Sequence, residues 1–393
     1  MMAQYLTLKA EAGGDLLFYR MGDFFELFFD DAKIASQVLD IALTSRGEHQ
    51  GNGIPMCGVP AHSADAYLAR LIRAGHRVAI ADQTETPEQA KARGGSKALV
   101  ARAIVRCVTA GTLTEDTLLD SRRANILAAV GESGGALAIA AADISTGRLE
   151  VIALDEGGID AELARIGASE VIARPALIER IPTALPFESR GFDSVRADAD
   201  IRRQFGVATL ESYGDFSRAE LSALGGLIAY LDHVGKGRMP FLAAPVRAGT
   251  RDHLAIDPAT RESLEIVQTT SGQRAGSLLA TIDRTVTGAG ARMLAADLSA
   301  PLMDRARIED RLSLVSWLHD DGPLREDLRA RLRALADIGR ALGRVAIGRG
   351  SPRDLGQLRD GLDAGRTLRE RLGARSDLPD LLAQLLPALD GHG

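Results

Sequence analysis

Apolar positions in this chain recur in two ways: every second residue in much of the first part, and every third or fourth residue after residue 251. The densest stretch is Leu16-Leu17-Phe18-Tyr19-Arg20-Met21-Gly22-Asp23-Phe24-Phe25-Glu26-Leu27-Phe28-Phe29, where six residues are aromatic in a chain that is 4% aromatic. Its composition favours strand, and Gly22-Asp23 is a turn signal, so two short strands joined by a tight turn are expected. Side chains alternate along a strand, which puts Phe24 and Glu26 on one face and Phe25 and Leu27 on the other. A hydrophobic core gains nothing from Glu26. Either Phe24 is core and Glu26 a solvated edge residue, or the two form a face with a use outside the fold.

Beyond this hairpin, residues 1–106 read as a small α/β domain. Asp30 to Leu39 has helical periodicity with acids in its first turn. Ile41 to Thr44 is expected to be a strand, followed by a Gly-rich loop through Gly53. Ile54 to Pro60 reads as extended. Ser63 is placed to cap a helix through Ala74, with Gly75 as its stop. Arg77 to Ala81 reads as a strand and residues 84–97 as a loop. A linker, residues 107–124, leads to a second domain at 125–250. There Asn125 to Val130, Ala136 to Ala141 and Arg148 to Leu154 alternate, with turns at Gly134-Gly135 and Thr146-Gly147. With Val171 to Ala173 as a later strand, an open mixed sheet is expected. Ser217-x-x-Glu220 is a capping box opening a helix through Val234, stopped by Gly235, and residues 236–251 form a connector.

Residues 251–393 are expected to be almost wholly helical. Asp257-Pro258 supplies an N-cap with Pro at the first helical position, and Leu264 and Val267 begin an apolar stripe. Asp304 caps a helix with Ile308, Leu312, Val315 and Leu318 on one side. Leu324 through Val345 continues the spacing, as do Leu355, Leu358, Leu362, Leu368 and Leu372. That last face is expected to stay apolar and exposed. The balanced, Arg-rich charges read as solvated helix faces.

Composition narrows the classes. With 393 residues, 46% hydrophobic and 25% charged, the chain has the size of two or three globular domains. No apolar run approaches a membrane span and no export signal opens the chain, so a cytoplasmic setting is expected. Cys57 and Cys107 offer neither a disulfide framework nor a metal site and read as buried small hydrophobes. A net charge of -6 argues against indiscriminate nucleic-acid binding. Residues 1–106 hold 12 Lys+Arg and 12 Asp+Glu, so any grip on DNA there rests on a few placed residues. His62 has no nucleophile or acid beside it in a motif and reads as structural. Asp143, at a strand end with Glu150 nearby, admits a metal-dependent nuclease, but an Asp capping its turn explains it more simply. The sequence contains no G-x-x-x-x-G-K-[ST], and Gly288-Ala289-Gly290 lacks the Lys-Ser/Thr pair of a phosphate loop; it reads as a tight helix–helix junction.

Three blocks resemble the bacterial MutS family: the run from Leu16 to Ala32, with Phe24-Phe25-Glu26 where the family has Phe-x-Glu after Gly-Asp; the run from Ile54 to Glu85; and Asp257 to Arg261 with Thr285 to Arg292. The middle residue of the motif is commonly Tyr in the family and is Phe here. The resemblance covers essentially the whole chain. It implies a multidomain order: a mixed α/β mismatch-recognition domain, an RNase H-like α/β connector and a mostly helical lever region, truncated before the family's clamp and ATPase. It implies binding of double-stranded DNA with mismatches or small loops in DNA mismatch repair, in the cytoplasm on the nucleoid. Phe24 would wedge at the mispaired base, Glu26 would hydrogen-bond it, Arg46 would contact the backbone, and Met21 would lie near the wedge. No cofactor and no ATPase activity are expected of this chain; ATP and Mg, a homodimer and MutL belong to the complete family protein. A nuclease centred on Asp143 and a non-DNA-binding adaptor are the other readings.

Overall fold

The computed structural model describes residues 1–49, 52–95, 98–154, 158–249 and 252–389. The Gly-rich loop, the loop at 84–97, the connector at 236–251 and the C-terminal tail each include residues outside that set. The described residues group into two units: 1–119 with 229–239, and 120–228 with 240–393.

In the first unit the elements run α1 (Met2–Ala12), β1 (Leu16–Met21), β2 (Phe24–Phe28), α2 (Phe29–Leu39), β3 (Thr44–His49), β4 (Asn52–Pro60), α3 (Ala64–Arg73), β5 (Val78–Gln83), α4 (Pro87–Gly94) and β6 (Arg102–Val108). The sheet order is β3-β4-β2-β1-β5-β6. The expected tight turn forms: β1 and β2 pair antiparallel, Tyr19 with Glu26 and Met21 with Phe24, and Gly22 takes the left-handed φ of +58° that the connection needs. Phe18, Phe25, Leu27, Leu39, Leu68 and Leu71 make the core on the face covered by α2 and α3. On the opposite face the Tyr5 ring of α1 meets Phe28 at 4.9 Å and Tyr19 at 5.6 Å, both edge-on. Both sides of the hairpin are therefore covered over most of its length.

Five sequence expectations shift here. The strand expected at Ile41–Thr44 begins at Thr44 instead and runs to His49, into the stretch expected to be a loop, because pairing with β4 supplies its backbone partners. The expected loop at 84–97 contains α4, opened by a complete capping box between Thr86 and Gln89 with Pro87 at the first helical position. The segment before Leu16, for which no element was expected, is helix α1. Ser63 starts α3 but does not cap it; its hydroxyl donates to the Pro60 carbonyl at 3.4 Å. β6 continues past residue 106 to Val108.

The second unit carries β7 (Ile126–Ser133), β8 (Ala136–Asp143), β9 (Arg148–Ala153), α5 (Ile159–Ile166), β10 (Glu170–Ala173), β11 (Leu185–Pro186), α6 (Ser194–Phe205), α7 (Arg218–Gly235, its residues from 229 grouping with the first unit) and β12 (Val246–Ala248). β7, β8 and β9 are antiparallel, and β10, β11 and β12 add parallel strands to give β11-β10-β7-β8-β9-β12. This is the open mixed sheet expected from the alternation. Part of the expected connector is thus strand β12. The capping box is present: the Ser217 amide donates to Glu220 at 2.7 Å and the Glu220 amide to the Ser217 hydroxyl at 3.3 Å.

From residue 258 the described chain is helical in the main: α8 (Pro258–Ser263), α9 (Leu278–Ile282), α10 (Gly288–Ser299), α11 (Arg305–Asp320), α12 (Gly322–Arg333), α13 (Ile338–Ala346), α14 (Pro352–Gly373) and α15 (Asp380–Leu385). Asp257 and Asp304 cap α8 and α11 as expected. α8 ends at Ser263, so Leu264 and Val267 lie beyond it rather than on a helical stripe. The spacing from Leu324 to Val345 is split in two, because Asp321 and Asp337 each cap a new helix. Gly288 is not a helix–helix junction. It opens α10, and a Cβ there would stand 2.6 Å from the Ser121 carbonyl oxygen, so the close approach is to a loop. No described helix is long and apolar enough to cross a membrane.

Candidate nucleic-acid interface

The turn at Gly22-Asp23 ends the covered part of the hairpin, and β2 begins with a large apolar side chain left about half open to solvent. Phe24 is 48% exposed, whereas Phe25 is 6% and Leu27 0%. Burying a phenylalanine is worth about 1.5–3 kcal/mol. The fold forgoes that at Phe24 while collecting it at the next residue, as strand alternation predicts. The reading of Phe24 as a core residue therefore fails. Its cross-strand neighbours, Met21 on β1 and Pro60 on β4, are both apolar.

Glu26 lies on the same face one pleat further in, but it is not a solvated edge residue. It is 8% exposed, with Tyr19 beside it on β1 and Gly58 on β4, a position with no side chain to crowd it. Arg46 donates through Nη1 to both carboxylate oxygens, at 2.9 and 3.1 Å. The pair is lopsided: the Glu26 side chain is 11% exposed and that of Arg46 is 52%. A carboxylate this buried needs a partner, because uncompensated burial of a charge costs several kcal/mol. The partner comes from the irregular stretch of β3 between Ser45 and Glu48, where the register with β4 shifts.

Sequence reasoning named Met21, Phe24, Glu26 and Arg46, and all four belong to one neighbourhood. It did not join Arg46 to Glu26, and it missed the support beneath them. Tyr19 donates to Gln4 at 2.6 Å and carries the Arg102 guanidinium over its ring at 4.9 Å. Burial pushes the Tyr19 hydroxyl above its usual range; Arg102 opposes that rise and the Glu26 charge adds to it. Arg102 in turn donates to the Arg20 carbonyl at 2.7 Å and lies 3.6 Å from the Met21 sulfur. Arg102 is 83 residues from Tyr19 in sequence, and no local pattern marks it.

Asp143, the alternative centre, is a turn cap. It is buried, and its Oδ1 accepts from the Ser145 amide at 3.0 Å and the Ser145 hydroxyl at 2.5 Å. Glu150 pairs with Arg148. Among the described residues no three His, Cys, Asp or Glu side chains gather as metal ligands. Both residues line a cavity of about 650 Å³ with several arginines. Most of those are internally paired, Arg122 and Arg274 with Asp283 and Arg292 with Asp337. Cys57 and Cys107 are buried and unbridged, and burial pushes both thiols up to about 11.

Family models for MutS domain I, MutS domain II and MutS domain III match residues 1–117, 125–242 and 259–390. The chain is 58% identical over 399 residues to the DNA mismatch repair protein MutS of Zymomonas mobilis subsp. mobilis, covering 100% of this chain and 46% of that protein. It is 58% identical over 404 residues to the protein of that name from Erythrobacter litoralis, again with 100% and 46% covered. The Azorhizobium caulinodans protein of that name is 48% identical over 389 residues, with 95% and 42% covered. The chain spans about half the length of the curated relatives it matches.

Proposed function

The chain belongs to the MutS family, and from that premise we propose that its first unit senses mismatched base pairs in double-stranded DNA, with Phe24 as the wedge and Glu26 as the polar contact. The observation that carries this reading is the exposed Phe24 ring one pleat from a buried carboxylate, on a hairpin otherwise covered on both faces. A flat apolar ring beside a hydrogen-bond acceptor suits a base that is partly out of its stack.

The energetics follow from the duplex. An aromatic entering from the minor groove unstacks and kinks the DNA. Stacking one base on a ring is worth about 1–3 kcal/mol. Extruding a base costs a few kcal/mol, and least where it is mispaired. The two terms nearly cancel at a mismatch and do not cancel in matched DNA, and that difference is the discrimination. Arg46 makes Glu26 tolerable near phosphates, and the carboxylate adds to recognition where it accepts a hydrogen bond from the displaced base. Arg46, half-exposed, supplies a backbone contact that positions the domain, and Met21 lines the wedge. In this reading the chain binds DNA on the cytoplasmic nucleoid and does not itself turn over ATP. ATP, Mg, a second copy and MutL act through the complete family protein.

The test is binding of matched and G·T duplexes to the wild type, Phe24→Ala, Phe25→Ala and Glu26→Ala at one fixed salt concentration. Phe24→Ala is expected to abolish mismatch preference while the fold is kept. Phe25→Ala is expected to lower stability and leave the preference in whatever remains folded. Glu26→Ala is expected to shrink the ratio by something like the 1–3 kcal/mol of one good base contact. Retention of the wild-type ratio by Phe24→Ala defeats the reading.

A further inference from the structure

Glu26 and Arg46 hold each other, yet mismatch sensing asks both to do something else. While the guanidinium caps both carboxylate oxygens, at 2.9 and 3.1 Å, the carboxylate has its strongest donor already in place. The same guanidinium, tied to Glu26, is only partly available to a phosphate. The exposures say which partner is free to leave: Arg46 is on the solvent side of the pair and Glu26 is fixed in the sheet between Tyr19 and Gly58.

We infer that Arg46 is a specificity-determining residue that gates Glu26, an inference that rests on the proposed function. On matched DNA the Watson–Crick edges are paired and the bases stay stacked, so no displaced N–H is brought to the carboxylate and Arg46 stays on Glu26. The pair is then close to neutral, and the carboxylate does not repel the backbone. At a mismatch the displaced base brings an N–H to the carboxylate. Arg46 is released from the carboxylate while staying beside the backbone it flanks in either complex, so one ion pair is exchanged for one base hydrogen bond. The salt bridge is thus a resting state that the mismatch has to break, and its strength sets part of the discrimination.

A simple phosphate contact and a gate predict different coupling. If Arg46 only touches the backbone, Arg46→Ala weakens matched and mismatched binding by the same factor, whatever occupies position 26. If it gates Glu26, its loss leaves a bare carboxylate facing matched DNA, while at a mismatch the base supplies the missing donor and no ion pair has to be broken. The experiment measures the affinity of the 393-residue chain for a matched and a G·T duplex by fluorescence anisotropy at one low salt concentration. The proteins are the wild type, Arg46→Ala, Arg46→Lys, Glu26→Gln, the Arg46→Ala/Glu26→Gln double variant and Phe24→Ala, each checked for folding by thermal unfolding. Arg46→Ala is expected to weaken both duplexes, matched more, so that the matched-to-mismatched ratio of Kd rises about three- to fivefold, the size of one half-exposed ion pair. In the Glu26→Gln background the same substitution is expected to leave the ratio unchanged, and Arg46→Lys to hold it near the wild-type value. A ratio that is unchanged or falls in Arg46→Ala, with Phe24→Ala still abolishing mismatch preference, overturns the gate alone. A wild type without preference, or a Phe24→Ala that keeps it, overturns the proposed function and the gate with it.

Discussion

The two six-stranded sheets are built from opposite materials. The first packs Tyr5, Phe18, Tyr19 and Phe28 with no exposed area at all. The second has no aromatic residue in any of its six strands. Ala128, Ala129, Ala138, Ala140 and Ala142 are fully buried there, alongside the aliphatic Leu127, Val130, Ile139, Val151 and Ile172. Large rings fill the space between layers and hold the helices away from the sheet. Alanines and glycines let the layers close in: a Cβ on Gly131 of β7 would stand 2.2 Å from the Ala223 amide nitrogen of α7. The difference teaches where stacking chemistry can reside. A sheet made of rings has one to spare at its rim, and Phe24 is that ring. A sheet of alanines and aliphatic residues achieves close packing and offers a base no ring to stack on.

The largest effect that tests this contrast is in the aromatic sheet. Phe28→Ala removes a ring packed edge-on against Tyr5 and is expected to cost about 3–5 kcal/mol in urea unfolding. A loss under about 1 kcal/mol would mean the rings are not what holds this sheet to α1. In the alanine sheet the sensitive change is addition rather than deletion. Gly131→Ala forces a methyl into backbone atoms of α7 and is expected to cost about 1–3 kcal/mol, read the same way. If it is neutral, the close approach is not structural. The smallest effect is in the helical region, where Leu312 and Val315 of α11 are 58% and 62% exposed. Val315→Arg is expected to change stability by no more than about 0.5 kcal/mol, because most of that side chain is already exposed to water. A larger loss would show that α11 is packed against something in solution, and would bring the helical region closer to the two sheets in how it is held.

Much of this was readable without coordinates because it depends on neighbours in sequence. Gly22-Asp23 marks its own turn, alternation then sends Phe24 and Phe25 to opposite faces, and Asp257, Asp304 and the Ser217–Glu220 box announce helix starts through bonds that span three residues. Even α4 was written in the chain, in Thr86, Pro87 and Gln89, though the glycines at 94 and 95 pointed the other way. The strand at Thr44–His49 was not readable, since this polar Thr-Ser-Arg-Gly-Glu-His stretch becomes strand only when β4 lies alongside to pair with its backbone. Nor was the partner of Glu26. Periodicity told which way the carboxylate points; it carried no information on how deep it would be buried or which of the nearby arginines would answer it. That was decided by where β3 falls relative to β2, and by the burial that makes an unpaired carboxylate too unfavourable to leave without a cation. A face is a property of one strand, whereas an ion pair is a property of the sheet.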